Sequence, residues 1–177
     1  MLHDMQEFDR LPRNKQRSCG ILTLSDKGAR GERQDTSGPL LHELLNAQGF
    51  FVTAYEILPD QEELIAAKLT VWADELRLDL IVTTGGTGVS PSDRTPEATR
   101  RVIEREIPGL GEAMRAASLQ KTPQAVWSRG IAGLRGQTLI INLPGSAKAA
   151  KENLETVLPA LAHGIEKIQG STTDCGG

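Results

Sequence analysis

Apolar residues along this chain alternate between two rhythms. The run Leu80-Ile81-Val82 has no polar interruption and suits a strand covered on both faces, and CGILTLS (Cys19–Ser25) and FFVTAYEIL (Phe50–Leu58) predict two strands before it. SRGIAGLRGQTLIINLPG (Ser128–Gly145) predicts two more, joined at Arg135-Gly136. Between these runs the spacing turns helical. Pro39–Gln48 is closed by Gly49, and Glu63–Leu76 carries Leu64, Ala67, Trp72 and Leu76 on roughly one face, with Asp60 and Glu63 at capping-box spacing ahead of it. Pro96–Ile107, Pro108–Gln120 (Leu110, Met114 and Ala117 in phase) and Ser146–Ile168 follow, the last with an interruption near Pro159. Strands alternating with helices predict an α/β fold, a three-layer sandwich with a mostly parallel sheet. Residues 1–17 and 171–177 are polar and patternless, which predicts a flexible arm and tail around one domain over 18–170.

In such sheets ligands bind at the carboxyl ends of the strands, near the point where strand order reverses. That rule gathers Ser25-Asp26, Pro59-Asp60, the loop Thr84-Gly85-Gly86-Thr87-Gly88, and Asn142-Leu143-Pro144-Gly145-Ser146. The third strand leaves through three glycines in four positions and runs through Asp93 to Thr95-Pro96, read as an N-cap followed by proline at the first helical position. The glycines either satisfy a tight turn or, with their bare N–H groups beside a helix N-terminus, form an anion cradle suited to phosphate.

Composition narrows the chemistry. A formal net charge of −3 and 3% aromatic residues oppose nucleic-acid binding, which needs a basic footprint or stacking platforms. No apolar run reaches membrane-spanning length, so a cytoplasmic protein with no membrane partner is expected. Cys19 and Cys175 share no close spacing and read as free thiols. The chain has no Gly-Lys-Ser/Thr P-loop, no G-x-G-x-x-G, no G-x-S-x-G and no H-E-x-x-H, and His3, His42 and His163 are unclustered, so zinc is not expected. What remains is Asp60 and Asp93 flanking a glycine-rich cradle. Carboxylates beside a phosphate site repel the ligand unless a hard cation lies between, and Mg²⁺ held by one or two carboxylates plus phosphate oxygens meets that need. For Asp60 a plain helix cap competes with this reading.

The blocks TTGGTG and SDRTPEAT, with LPD upstream and NLPGSAKA downstream, resemble the MogA/MoaB family of molybdenum cofactor biosynthesis proteins, whose domain also occurs in gephyrin and plant homologues. Ser92 and Arg94 depart from the family's common RDVTPEAT. The resemblance implies a molybdopterin-binding fold and adenylyl transfer from Mg·ATP to the terminal phosphate of molybdopterin, with pyrophosphate released. A noncatalytic molybdopterin carrier or scaffold, as in a MoaB-like paralogue, is the alternative. The resemblance implies catalytic and Mg²⁺-binding roles for Asp60 and Asp93, and phosphate contacts from Thr84 through Gly88 and from Thr95, Pro96 and Glu97. Substrate contacts are also implied for Ser25, Asp26, Ser118, Ser128, Arg129, Asn142, Pro144, Gly145 and Ser146; for Arg129 a surface salt bridge competes. A homotrimer or dimer of trimers is implied as well, together with a downstream molybdenum insertase, and Leu110, Met114, Leu119 and Trp127 are candidates to bury against a neighbour.

Overall fold

The computed structural model describes residues 17–171; the expected arm and tail, apart from Arg17 and Ser171, lie outside the described residues, as does Cys175. A six-stranded sheet has the order β2-β1-β3-β6-β5-β4. Its members are β1 (Ser18–Leu24), β2 (Phe51–Leu58), β3 (Leu80–Thr84), β4 (Arg105–Glu106), β5 (Ala132–Arg135) and β6 (Thr138–Leu143). β2, β1, β3 and β6 run parallel, while β5 and β4 add an antiparallel edge. Arg17, one residue before the expected domain start, is tied to the sheet and to the last helix: its carbonyl accepts from Phe51 N–H at 2.8 Å and its guanidinium pairs with Glu166.

Helices cover both faces, as the unbroken apolar run of β3 requires. On one side α1 (Ser37–Ala47), α4 (Pro108–Leu119) and α5 (Ala147–Ile168) pack Leu41, Leu45, Met114 and Leu154 against Cys19, Ile21, Val82 and Ile141. On the other, α2 (Glu62–Asp74) and α3 (Thr95–Val102) pack Ile65, Leu69, Trp72 and Ala98 against Leu22, Ile81 and Ile140. β1 lies between β2 and β3, so the chain reverses direction across the sheet at the β1/β3 boundary, which places the ligand crevice at the carboxyl ends of those strands.

Four local expectations are corrected. The buried face of α2 is Ile65, Ala66, Leu69, Trp72 and Ala73, whereas Leu64 and Leu76 stand 44% and 53% exposed. The helix expected over 96–107 stops at Val102, because Glu104 and Ile107 donate their N–H groups to Leu134 and Ala132 on β5; Ile107 precedes a proline, which disfavours helical backbone there. α5 runs through Pro159 unbroken, since Pro159 and the residue one turn before it, Glu155, both lie on the exposed face. Of the four apolar residues expected to lack cover, Met114 is buried and Leu110 packs on the core, while Leu119 and Trp127 remain exposed beside Val126. Cys19 is a free, fully buried thiol, pushed far above its ordinary range by burial and, secondarily, by the charge of Asp79.

Candidate functional site

The glycine loop after β3 is shaped by positions that tolerate no side chain. Gly85 and Gly86 have φ of +106° and +65°, and a Cβ on Gly86 would press on Thr95 Oγ1 and sit 3.0 Å from Asp60 Oδ1. A Cβ on Gly88 would come within 2.9 Å of Asp93 Oδ2. The two carboxylates therefore stand directly over the loop, one at each end. Gly86→Ala is expected to destabilise the protein by roughly 1 kcal/mol or more, through left-handed backbone strain and loss of the Thr95 hydroxyl's place, and a denaturant melt measures it.

Asp60 is not the cap of α2, whose N-cap position belongs to Gln61 without a side-chain bond. Its carboxylate accepts from Asp26 N–H at 3.2 Å, while Asp26 Oδ1 accepts from Asp60 N–H at 3.0 Å, a reciprocal clamp between the ends of β1 and β2. Burial raises the Asp60 pKa foremost; the Asp26 N–H opposes this, and the charges of Asp26 and Asp93 add to it. Asp93 Oδ2 accepts from Ser90 N–H at 2.7 Å. Among the described residues no lysine or arginine pairs with Asp60 or Asp93.

A cleft of about 620 Å³ opens beside this loop, walled by Ser25, Asp60, Thr84, Gly85, Gly145 and Ser146. A second lobe of about 470 Å³ continues past it, walled by Thr87, Gly88, Ser118, Ser128 and Pro144. Gly86, Asp93 and Gly145 line both. Ser25 and Ser146 cap helical turns, accepting from Gly28 and Ala149 N–H, and the Thr84 hydroxyl donates to the Pro144 carbonyl at 2.7 Å.

Six expected contact residues stand behind the walls instead of in them. Asp26 faces Asp60 as described. Thr95 is buried and donates to the Gly85 carbonyl at 2.8 Å, so it pins the glycine turn where a cap was expected; Pro96 is buried beside it. Asn142 is 1% exposed, with Nδ2 donating to the Thr83 and Thr99 hydroxyls and Oδ1 accepting from Ile131 N–H. Arg129 donates Nε to the Gly88 carbonyl at 2.6 Å and Nη2 to the Asp93 carbonyl at 2.8 Å, and pairs through Nη1 with Glu97. The arginine braces the loop from outside, and Glu97, held below its ordinary pKa by that guanidinium, orients the brace. The missed wall residues include Arg33, Gln34, Asp35 and Thr36 in the first lobe, and Lys121, Trp127 and Asn153 in the second. The Asp-x-Ser-Gly turn at 35–38 was a readable signal for the former; nothing local marked the latter.

Residues 20–163 match the family described as "Probable molybdopterin binding domain". The chain belongs to this molybdopterin-binding family. Among curated members it is 44% identical over 157 residues to the molybdopterin adenylyltransferase of Helicobacter pylori strain 26695, covering 86% of this chain and 88% of that one. It is 41% identical over 154 residues to that of Escherichia coli K12, covering 82% and 78%. Among solved members, the molybdopterin biosynthesis enzyme MoaB of Thermus thermophilus superposes with a TM-score of 0.83 at 56% identity, covering 87% of this chain and 97% of that one. The Mog protein of Mycobacterium ulcerans does so at 0.81 and 40%, covering 86% and 99%. The mixed sheet with helices on both sides is thus the MoaB/MogA molybdopterin-binding fold.

Proposed function

We propose that this member of the family is a molybdopterin adenylyltransferase of molybdenum cofactor biosynthesis, moving AMP from ATP to the terminal phosphate of molybdopterin. The observation that carries it is the pair of lobes meeting at Gly86, Asp93 and Gly145, room for two phosphate-bearing substrates whose reacting groups share one junction. A terminal-phosphate oxygen of molybdopterin bonds to the α-phosphorus of ATP, the bond from that phosphorus to the bridging oxygen breaks, and pyrophosphate leaves with the electron pair. The attacking dianion needs no base and the protein supplies no covalent nucleophile, so the work falls to alignment and charge. The Gly85 N–H is taken by the Leu143 carbonyl at 3.1 Å, so it is the N–H groups of Gly86 to Gly88 and the Thr87 hydroxyl that offer donors to phosphate oxygens, and Thr95 and Arg129 keep that loop in shape. The residues fit Mg²⁺: Asp60 and Asp93 are hard oxygen donors without a cationic partner among the described residues, and Asp60's pKa, raised first by burial, is raised further by the charges of Asp26 and Asp93, a repulsion that a cation would relieve. They would hold the ion, which when bound neutralises phosphate charge.

The names of the 41–44% identical relatives support the enzyme over the carrier. Purified protein with ATP, Mg²⁺ and molybdopterin should release pyrophosphate only when molybdopterin is present; binding without release would establish the carrier. We also assign a homotrimer, with the exposed Leu119, Val126 and Trp127 as its apolar surface. A light-scattering mass of one chain would overturn that assembly. No helix among the described residues is long and apolar enough to cross a membrane. We place the enzyme in the cytoplasm as part of the same proposal, passing its product to an insertase.

A further inference from the structure

Residues 33–37 form much of one wall of the larger lobe, yet 33–36 have no helix or strand of their own. Their position depends on one carboxylate. Asp35 Oδ1 accepts from Ser37 N–H at 2.9 Å and Gly38 N–H at 3.1 Å, closing the first turn of α1. Asp35 Oδ2 accepts from the Thr23 hydroxyl of β1 at 2.6 Å and the Tyr55 hydroxyl of β2 at 2.5 Å. The packing admits nothing more: a Cβ on Gly38 would lie 2.5 Å from both Asp35 Oδ2 and Tyr55 Cε2. From α1 the connection continues across the cleft, where the Ser37 hydroxyl donates to the Gly145 carbonyl at 3.0 Å. The next carbonyl back, that of Pro144, is held by Thr84 of β3, and a Cβ on Gly145 would sit 3.2 Å from the Gly85 Cα.

We propose that Asp35 is a positioning residue for the adenylyl-transfer site, fixing the separation of the 33–37 wall from the glycine cradle through a hydrogen-bonded belt that runs Tyr55 and Thr23, Asp35, Ser37, Gly145. This rests on the reading of the cleft as a two-substrate site. Asp35 has four donors and touches neither Asp60 nor Asp93, so it acts through the wall and not on the reacting phosphates. A wall displaced by about 1 Å is enough to lower turnover about 10²-fold.

The chain contains one tyrosine, so tyrosinate absorbance reports on the belt directly. Burial, then the bond and charge of Asp35, push the Tyr55 phenol up to about 12, against an ordinary value of about 10. In Asp35→Asn the phenol should return toward the ordinary range and kcat should fall about 10²-fold. The melt should stay cooperative, and the calorimetric affinity for ATP and for molybdopterin should change less than tenfold. Tyr55→Phe, which keeps the ring and removes one donor, should lose turnover to a smaller degree, and it decides the matter if Asp35→Asn does not fold. A folded Asp35→Asn with a normalised phenol and parental kcat and KM would overturn the proposal, as would a Tyr55→Phe protein with parental turnover where that variant is the deciding one. Absence of adenylyl transfer in the parent protein would instead count against the function itself.

Discussion

Asp93→Asn is expected to lower adenylyl transfer by about 10²–10³-fold while the protein remains folded. Asparagine keeps an oxygen for Ser90 N–H, so the 88–93 loop retains its internal bond, whereas alanine would lose that bond along with the charge. What disappears is the negative charge at the junction of the two lobes, where the proposed reaction would balance phosphate against Mg²⁺. Steady-state pyrophosphate release at saturating Mg·ATP and molybdopterin measures the effect. Turnover near the parent's would remove Asp93 from the reaction and leave it a loop-closing residue.

Asp60→Asn should abolish activity to a similar degree, about 10²–10³-fold, with a melting temperature at or above the parent's. The amide oxygen still accepts from Asp26 N–H, and no helix cap is lost because Gln61 occupies that position. The stability direction follows from the raised pKa. A carboxyl whose folded pKa lies above its unfolded value favours folding most when protonated, below the unfolded pKa, and that contribution is lost as pH rises through the folded pKa. At neutral pH the ionised group therefore opposes folding, and the neutral amide relieves it. Calorimetric scans at neutral pH alongside the activity assay separate the two effects: an early-melting variant that kept its specific activity would make Asp60 structural.

The parts of this fold that were legible in the sequence were those whose cause is local. The uninterrupted apolar run Leu80–Val82, the glycines after it and the Arg135-Gly136 turn each carry their own conformational reason, and they placed β3, the glycine loop and the β5–β6 hairpin. Asp60 and Asp93 were legible as neighbours because both follow strand ends on the same side of the sheet, and both do line one cleft beside the glycine loop. Contacts between distant residues were not. Thr95 looked like a cap because of the proline after it, but its hydroxyl serves the Gly85 carbonyl. Asn142 sits at a strand end by sequence, yet its side chain points between β3 and α3, and strand position does not say which face of the sheet a residue takes. By sequence Asp35 is one polar residue among several between the first strand and Pro39, and its importance comes from Thr23 and Tyr55, 12 and 20 positions away.

Arg129 gives the glycine loop a property of its own. Its guanidinium spans the Gly88 and Asp93 carbonyls, its backbone N–H holds the Thr87 carbonyl at 2.8 Å, and Thr95 secures the opposite end, so the loop is closed before anything enters the cleft. The entropy of ordering that segment is spent during folding and not at each encounter with substrate. A phosphate-bearing substrate of the proposed reaction would then meet a loop already in place, with no ordering of this segment ahead of capture.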